Sequence, residues 1–146
     1  MDFSEWLMIG GLLLIFLLAG YAAWLWYQVW RRRQQRMQQT HERNQRLAGD
    51  IRLLARGLCE GQVPPIEGAI RIKVLLDNYD GPRRANLNLA IFETIYDATA
   101  HIPTHESWKA LPAAQRRQHE EYMETLEQQH RDALHRAAQE LRSGLI

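Results

Sequence analysis

The chain has 146 residues, is 46% hydrophobic and carries a net charge of +1, which suits one compact domain with an appendage. Its single cysteine, Cys59, excludes an intramolecular disulfide and a cysteine-rich zinc site, and it fits a reducing compartment. The charge is unevenly placed, because residues 31–58 hold eight arginines against Glu42 and Asp50. This basic block directly follows an apolar N-terminal segment.

That apolar segment, residues 6–27, contains no charged side chain. As an α-helix it would be about 33 Å long, enough to cross the roughly 30 Å hydrocarbon core of a bilayer. A helix is also the only single-segment structure that satisfies its backbone in lipid. We therefore predict a transmembrane anchor over residues 1–30. Aromatic residues that favour the headgroup level stand at both of its ends: Trp6 at one, and Trp24, Trp26, Tyr27 and Trp30 at the other.

The basic block predicts the orientation of this anchor, because arginines cross membranes poorly and mark the cytoplasmic flank of a span. The residues that set the topology are Arg31, Arg32, Arg33 and Arg36. We expect a single-pass protein of the bacterial inner membrane, with a periplasmic N-terminus, a cytoplasmic C-terminal domain and the lipid bilayer as a partner. A cleaved signal peptide fits poorly, since the chain lacks early positive charge and an A-x-A cleavage site. No nucleic-acid-binding signature accompanies the arginines, so no nucleic-acid partner is expected.

Residues 31–46 form a basic Arg/Gln segment with little to bury and no helix breaker, so we predict that the helix continues as a polar stalk. The helical domain follows over residues 47–146. Apolar residues at spacings of three and four from Leu47 to Leu58 leave two interpretations open. This segment either packs against its own chain or, with Asn44 at a seam position, forms a coiled-coil homodimer.

The next segment is ambiguous, because residues 70–74 alternate like a strand while residues 66–79 also suit a helix. No second strand is predicted that could pair with it, so we predict a helix from Pro65 to about Tyr79. A further helix is predicted from Arg84 to Ala100, with an apolar stripe at Leu87, Ile91 and Ile95 and with Phe92 and Tyr96 beside it.

The remaining chain is predicted as a short turn and a long helix. Thr104 is expected to cap the turn, which spans residues 105–111, and Pro112 suits the first position of the last helix. The fold class is therefore all-α: an N-terminal transmembrane helix that continues into a polar stalk, followed by a small cytoplasmic helical bundle.

Candidate functional residues surround that short turn. Trp108 is unusual in a short polar segment, and an exposed tryptophan is often an interface anchor. The candidate interaction residues are Thr104, His105, Glu106, Trp108 and Lys109. A weaker set of metal ligands comprises Asp97, His101, His105 and Glu106, although Pro103 disturbs regular helical spacing between the histidines. No catalytic motif and no cofactor signature was found.

Two segments resemble a known family. The segment EGAIRIKVLLDNY at residues 67–79, with IPTHESWKALPAAQRRQ at residues 102–118, follows an N-terminal span and an Arg/Gln stalk. In this layout the whole chain resembles a bacterial family of single-span membrane proteins, domain of unknown function 2489. The resemblance implies an inner-membrane location and a cytoplasmic helical domain, and it brings no activity, cofactor or partner.

The sequence favours a non-enzymatic function, as a membrane-tethered module that binds an unidentified protein partner. Two alternatives stay open. One is a metal-binding sensor or enzyme around Asp97, His101, His105 and Glu106. The other is a structural coiled-coil dimer.

Overall fold

The computed structural model describes residues 2–146, and its regular secondary structure in that range is helical throughout. The helices are α1 (Phe3–Cys59), α2 (Pro65–Asp77), α3 (Ala90–Thr99), α4 (His105–Lys109) and α5 (Ala113–Arg142). The all-α prediction is confirmed. The chain divides into two compact units, Met1–Glu42 and Arg43–Ile146.

The first unit holds the apolar part of α1. An 18-residue window of this helix has a mean hydropathy of 2.1, and none of the window is buried within the protein. The helix is therefore long and apolar enough to cross a membrane. It continues without a break through the Arg/Gln segment, because arginine and glutamine have high helix propensity and no proline interrupts them.

The second unit has one hydrophobic core, in which α2, α3 and α5 pack against one another. Its largest fully buried side chains are Ile51, Ile72, Phe92, Ile95 and Leu141. Each helix turns one apolar face inward, which is how helices of this length gain most of their stability. The unit is therefore a small helical bundle.

The end of α1 belongs to this core, because Ile51 and Ala55 are completely buried. Gly68 of α2 lies close to Leu58, and a Cβ at position 68 would stand 2.7 Å from the Leu58 Cδ2 atom. Any larger residue at position 68 would require the Leu58 side chain to shift. The segment from Leu47 to Leu58 thus packs against its own chain, the first of the two interpretations that the sequence left open.

Helix α2 matches its prediction, whereas the predicted start of α3 at Arg84 was wrong. The helix begins at Ala90, whose N–H donates to the Asn88 side chain at 3.2 Å. Residues before it are held by the end of α5, since the Arg84 N–H donates to the Leu145 carbonyl at 2.7 Å. On α3 the predicted Ile95 and its neighbour Phe92 are buried, together with Thr99, while Ile91 is only partly buried and Leu87 lies before the helix.

Pro112 is the N-cap residue of α5, and the helix begins at Ala113, one residue later than the predicted first position. Thr104 occupies the N-cap position of α4 with an extended backbone. Its side chain makes no capping hydrogen bond, so the expected capping role was wrong. Inward residues of α5 include Leu126, Leu134, Ala137 and Leu141, while Tyr122 is 40% exposed.

Candidate functional site

Helix α4 and the rings beside it form the most distinctive surface of the second unit. We call this the α4 surface and define it as residues 104–109 together with His101, His119 and Tyr122. The chain enters the helix through a strained position, because His105 has a φ of 53°. Non-glycine residues rarely adopt this region, and such strain is found disproportionately at functional positions.

Four rings from three parts of the chain meet at this surface. The His101 and His119 rings lie 5.9 Å apart, and the Tyr122 ring lies 5.2 Å from His101 in an edge-on arrangement. Trp108 lies 6.1 Å from His119. The Tyr122 hydroxyl donates to the Ala98 carbonyl at 3.1 Å, which links α5 to the end of α3. Aromatic contacts at these separations are favourable beyond simple burial.

The charged residues of the α4 surface are fully accessible. The side chains of Glu106 and Lys109 are 88% and 74% exposed, and they form an ion pair at 3.3 Å. Such an exposed pair contributes at most about 1 kcal/mol. Thr104 and His105 are exposed as well, whereas Trp108 is half-buried and lies outside the main hydrophobic core. The α4 surface therefore presents one aromatic side chain among polar groups.

The structure does not bring the predicted metal ligands together. Among residues 2–146, no three His, Cys, Asp or Glu side chains are placed so that they could hold one metal ion. His101 instead lies beside His119, which the sequence analysis did not associate with it. The 17 residues between them, 102–118, bring the two histidines together, and local sequence spacing did not predict this.

The predicted membrane residues all lie on α1. The side chains of Trp6, Trp24, Trp26, Tyr27 and Trp30 are more than half exposed within the protein. Arg31, Arg32, Arg33 and Arg36 are likewise exposed. None of these aromatic or basic side chains is buried by the chain itself, so they are free to contact lipid or water.

Cys59 ends α1 as a free, half-buried thiol. Burial raises the pKa of this thiol above its usual value, and the guanidinium of Arg142 opposes that effect only in part. A raised pKa leaves less thiolate at neutral pH and therefore a less reactive cysteine.

Four arginines have structural roles that the sequence analysis missed. Arg43 donates to the Asn78 carbonyl at 3.2 Å and Arg83 to the Leu76 carbonyl at 2.6 Å, both at the end of α2. Helix ends carry unpaired carbonyls and partial negative charge, so a guanidinium stabilises them. The same contacts occur at the end of α5, where the donors are Arg52 and Arg84.

Basic residues near a helix end are a recognised signal when they belong to that helix. Three of the four donors here are remote in sequence, as with Arg52 and the Arg142 carbonyl, which are 90 residues apart, whereas Arg83 is seven residues from Leu76. The sequence therefore showed the basic block of residues 31–58, which contains Arg43 and Arg52, but not the carbonyls that these side chains contact.

Comparison with known proteins gives a family and no characterised relative. No curated protein and no solved structure matches the chain. One family matches residues 15–141, which include most of the apolar segment and nearly all of the helical bundle. The resemblance read from residues 67–79 and 102–118 is thereby confirmed, and the chain belongs to the family of proteins of unknown function DUF2489.

Proposed function

We propose that this chain is a single-pass protein of the bacterial inner membrane whose helical domain binds a protein partner in the cytoplasm. The proposal gives the chain an anchoring and interaction role rather than an enzymatic one. Its lipid contact comes from the first unit and its protein contact from the second.

The observation that carries the proposal is the apolar face of α1, which nothing in the protein covers. Large side chains such as Leu13, Ile15, Phe16 and Leu17 are all more than half exposed. Burying one side chain of this kind away from water is worth about 1.5–3 kcal/mol. In a soluble protein, other parts of the chain would bury these side chains and provide that stabilisation. Here no part of the protein does so, and the segment requires an apolar environment outside the chain. A bilayer supplies it along the whole length.

The arginines after the segment support the orientation. They are exposed, so no ion pair inside the protein would ease their passage through lipid. Charged side chains at the centre of a bilayer cost about 2.5–3.5 kcal/mol each on insertion scales. Four of them hold residues 31 and beyond on the side from which the chain is inserted, the cytoplasm.

The α4 surface is the part of the second unit that best suits a protein partner. Interfaces commonly centre on a tryptophan surrounded by polar groups that exclude water. Trp108 is half-buried beside His119, which limits the side-chain entropy lost on binding. Glu106 and Lys109 supply opposite charges next to it.

Site-specific photocrosslinking in intact cells tests the interaction. A photoreactive amino acid at Lys109 is expected to join the chain to one recurrent protein. The same probe at Gln128, which is exposed on α5, serves as the matched control. Replacing Trp108 by Ala should abolish the product at position 109.

Three results would contradict the interaction role. They are the absence of a product at position 109, an equal yield of the same product at position 128, and persistence of the product in Trp108→Ala. Extraction of the chain from membranes by alkaline carbonate would contradict the anchor separately, because an integral helix resists that treatment.

A further inference from the structure

His101 and His119 form a pair whose ring nitrogens are not used by the fold. Across residues 2–146, neither ring takes part in a hydrogen bond or ion pair, and the ring contacts they make are with Trp108, Tyr122 and each other. Neutral imidazole has one donor and one acceptor nitrogen, and it is the commonest metal ligand among side chains. Two such rings with unused nitrogens at one place are therefore a candidate site.

The separation of the rings fits two ligands on one ion. A metal–nitrogen bond of about 2.1 Å, with about 1.1 Å from nitrogen to ring centre, puts each centre about 3.2 Å from the ion. Ligand–metal–ligand angles from 90° to 180° then correspond to centre separations of about 4.5–6.4 Å. The observed 5.9 Å lies within this range, so the separation of the two rings is compatible with one nitrogen of each binding the same ion.

Neighbouring aromatic side chains contact both histidine rings, and solvent can still reach a metal ion bound between them. Tyr122 and Trp108 pack against His101 and His119 respectively. His101 is exposed and His119 half-buried, so water can complete the coordination. No third His, Cys, Asp or Glu among residues 2–146 is placed to join such a group. Two protein ligands plus water is an incomplete, exchangeable arrangement rather than a closed structural site.

We propose that His101 and His119 together bind a divalent transition metal ion of the class that prefers imidazole, namely Cu²⁺, Ni²⁺ or Zn²⁺. The ion would link the segment after α3 to α5 across the α4 surface. This inference does not depend on the membrane anchor or on a protein partner, so its test and theirs can fail separately.

Copper titration of the untagged full chain in detergent micelles tests the pair, because Cu²⁺ binds such ligands most tightly among these ions. The chain should bind one Cu²⁺ whose electron paramagnetic resonance spectrum shows two imidazole nitrogens. His101→Phe and His119→Phe keep a ring in place and remove the nitrogens. Each should weaken Cu²⁺ binding by about tenfold or more, since the second ligand of a chelate acts at high effective concentration.

Two matched controls use histidines outside the pair. His135→Phe changes an exposed residue of α5, and His130→Phe changes a half-buried residue of the same helix; both should bind Cu²⁺ as the unmodified chain does. Circular dichroism verifies that each variant is folded. The proposal is overturned if the pair variants bind normally, if either control loses as much affinity, or if one or no imidazole nitrogen is seen.

Discussion

Arg84 and Gly144 are joined by two hydrogen bonds, in which the Nε and Nη2 atoms of the arginine donate to one carbonyl at 3.1 and 2.9 Å. The same Nη2 atom also donates to the Glu140 carbonyl at 2.8 Å. The Arg84 guanidinium therefore binds carbonyls at the C-terminal end of α5 and joins them to the segment that precedes α3. Arg84 and Gly144 are 60 residues apart in the sequence.

Replacing Arg84 by Ala should lower the stability of the helical bundle. Removing the guanidinium leaves the carbonyls at the end of α5 without their charged donor. Hydrogen bonds to charged groups contribute about 1.5–3 kcal/mol. Urea unfolding of the full chain in micelles, followed by circular dichroism, measures the change. Arg117→Ala removes an exposed arginine of α5 without such contacts and should have little effect. Equal losses in the two variants would show that the contact is not responsible.

Ile51 and Leu53 provide a second test, because they are two residues apart on α1 and differ fully in burial. Ile51 is completely buried and Leu53 is 68% exposed. Ile51→Ala should cost about 2–5 kcal/mol through lost burial and a cavity, whereas Leu53→Ala should change stability by about 0.5 kcal/mol or less.

The same unfolding experiment distinguishes this packing from the coiled-coil alternative. If Ile51 packs within its own chain, the unfolding midpoint is independent of protein concentration. The dimer alternative predicts a midpoint that rises with protein concentration. If that dependence is present and disappears in Ile51→Ala, Ile51 lies at the interface between two chains.

Gly49 and Gly144 should respond oppositely to alanine. A Cβ at Gly49, inside α1, meets nothing within 4 Å, so Gly49→Ala should stabilise by about 0.5–1 kcal/mol through helix propensity. Gly144 has a φ of +107°, which an L-residue adopts only with strain. Gly144→Ala should destabilise by about 1 kcal/mol or more, and thermal unfolding of both variants checks the two signs. A stabilising Gly144→Ala would contradict the turn geometry.

Cys59 should react slowly with iodoacetamide. Burial raises the pKa of its thiol, and the thiolate is the reactive form. The pH at which the reaction rate rises should therefore be higher for the folded chain than for the urea-unfolded chain. At pH 7.5 the folded chain should react more slowly than the unfolded one. A folded chain that reacts at the unfolded rate, with the same pH profile, would show that the thiol is not protected.

The sequence predicted those elements that depend on local composition. The apolar and basic segments of α1 follow from residue type alone, and α2 was assigned as a helix because Ile70–Val74 had no strand to pair with. The start of α5 after Pro112 follows from the fixed φ and missing N–H of proline.

Features that depend on distant contacts were missed. Helix α3 starts at Ala90 rather than at Arg84, and Arg84 instead contacts the end of α5. The α4 surface was only partly predicted: Trp108 and Lys109 were selected, but not the neighbouring His119 and Tyr122. These rings meet because α5 runs back past the end of α3, a tertiary relationship that periodicity within one helix does not encode.

The central claim is that the arginines after the apolar segment keep the helical domain in the cytoplasm, and reporter fusions after Ile146 test it most directly. Green fluorescent protein fluoresces when it folds in the cytoplasm, and alkaline phosphatase is active only after export. We predict a fluorescent, membrane-bound fusion and an inactive phosphatase fusion. Active phosphatase with no fluorescence would place the domain in the periplasm and contradict the account.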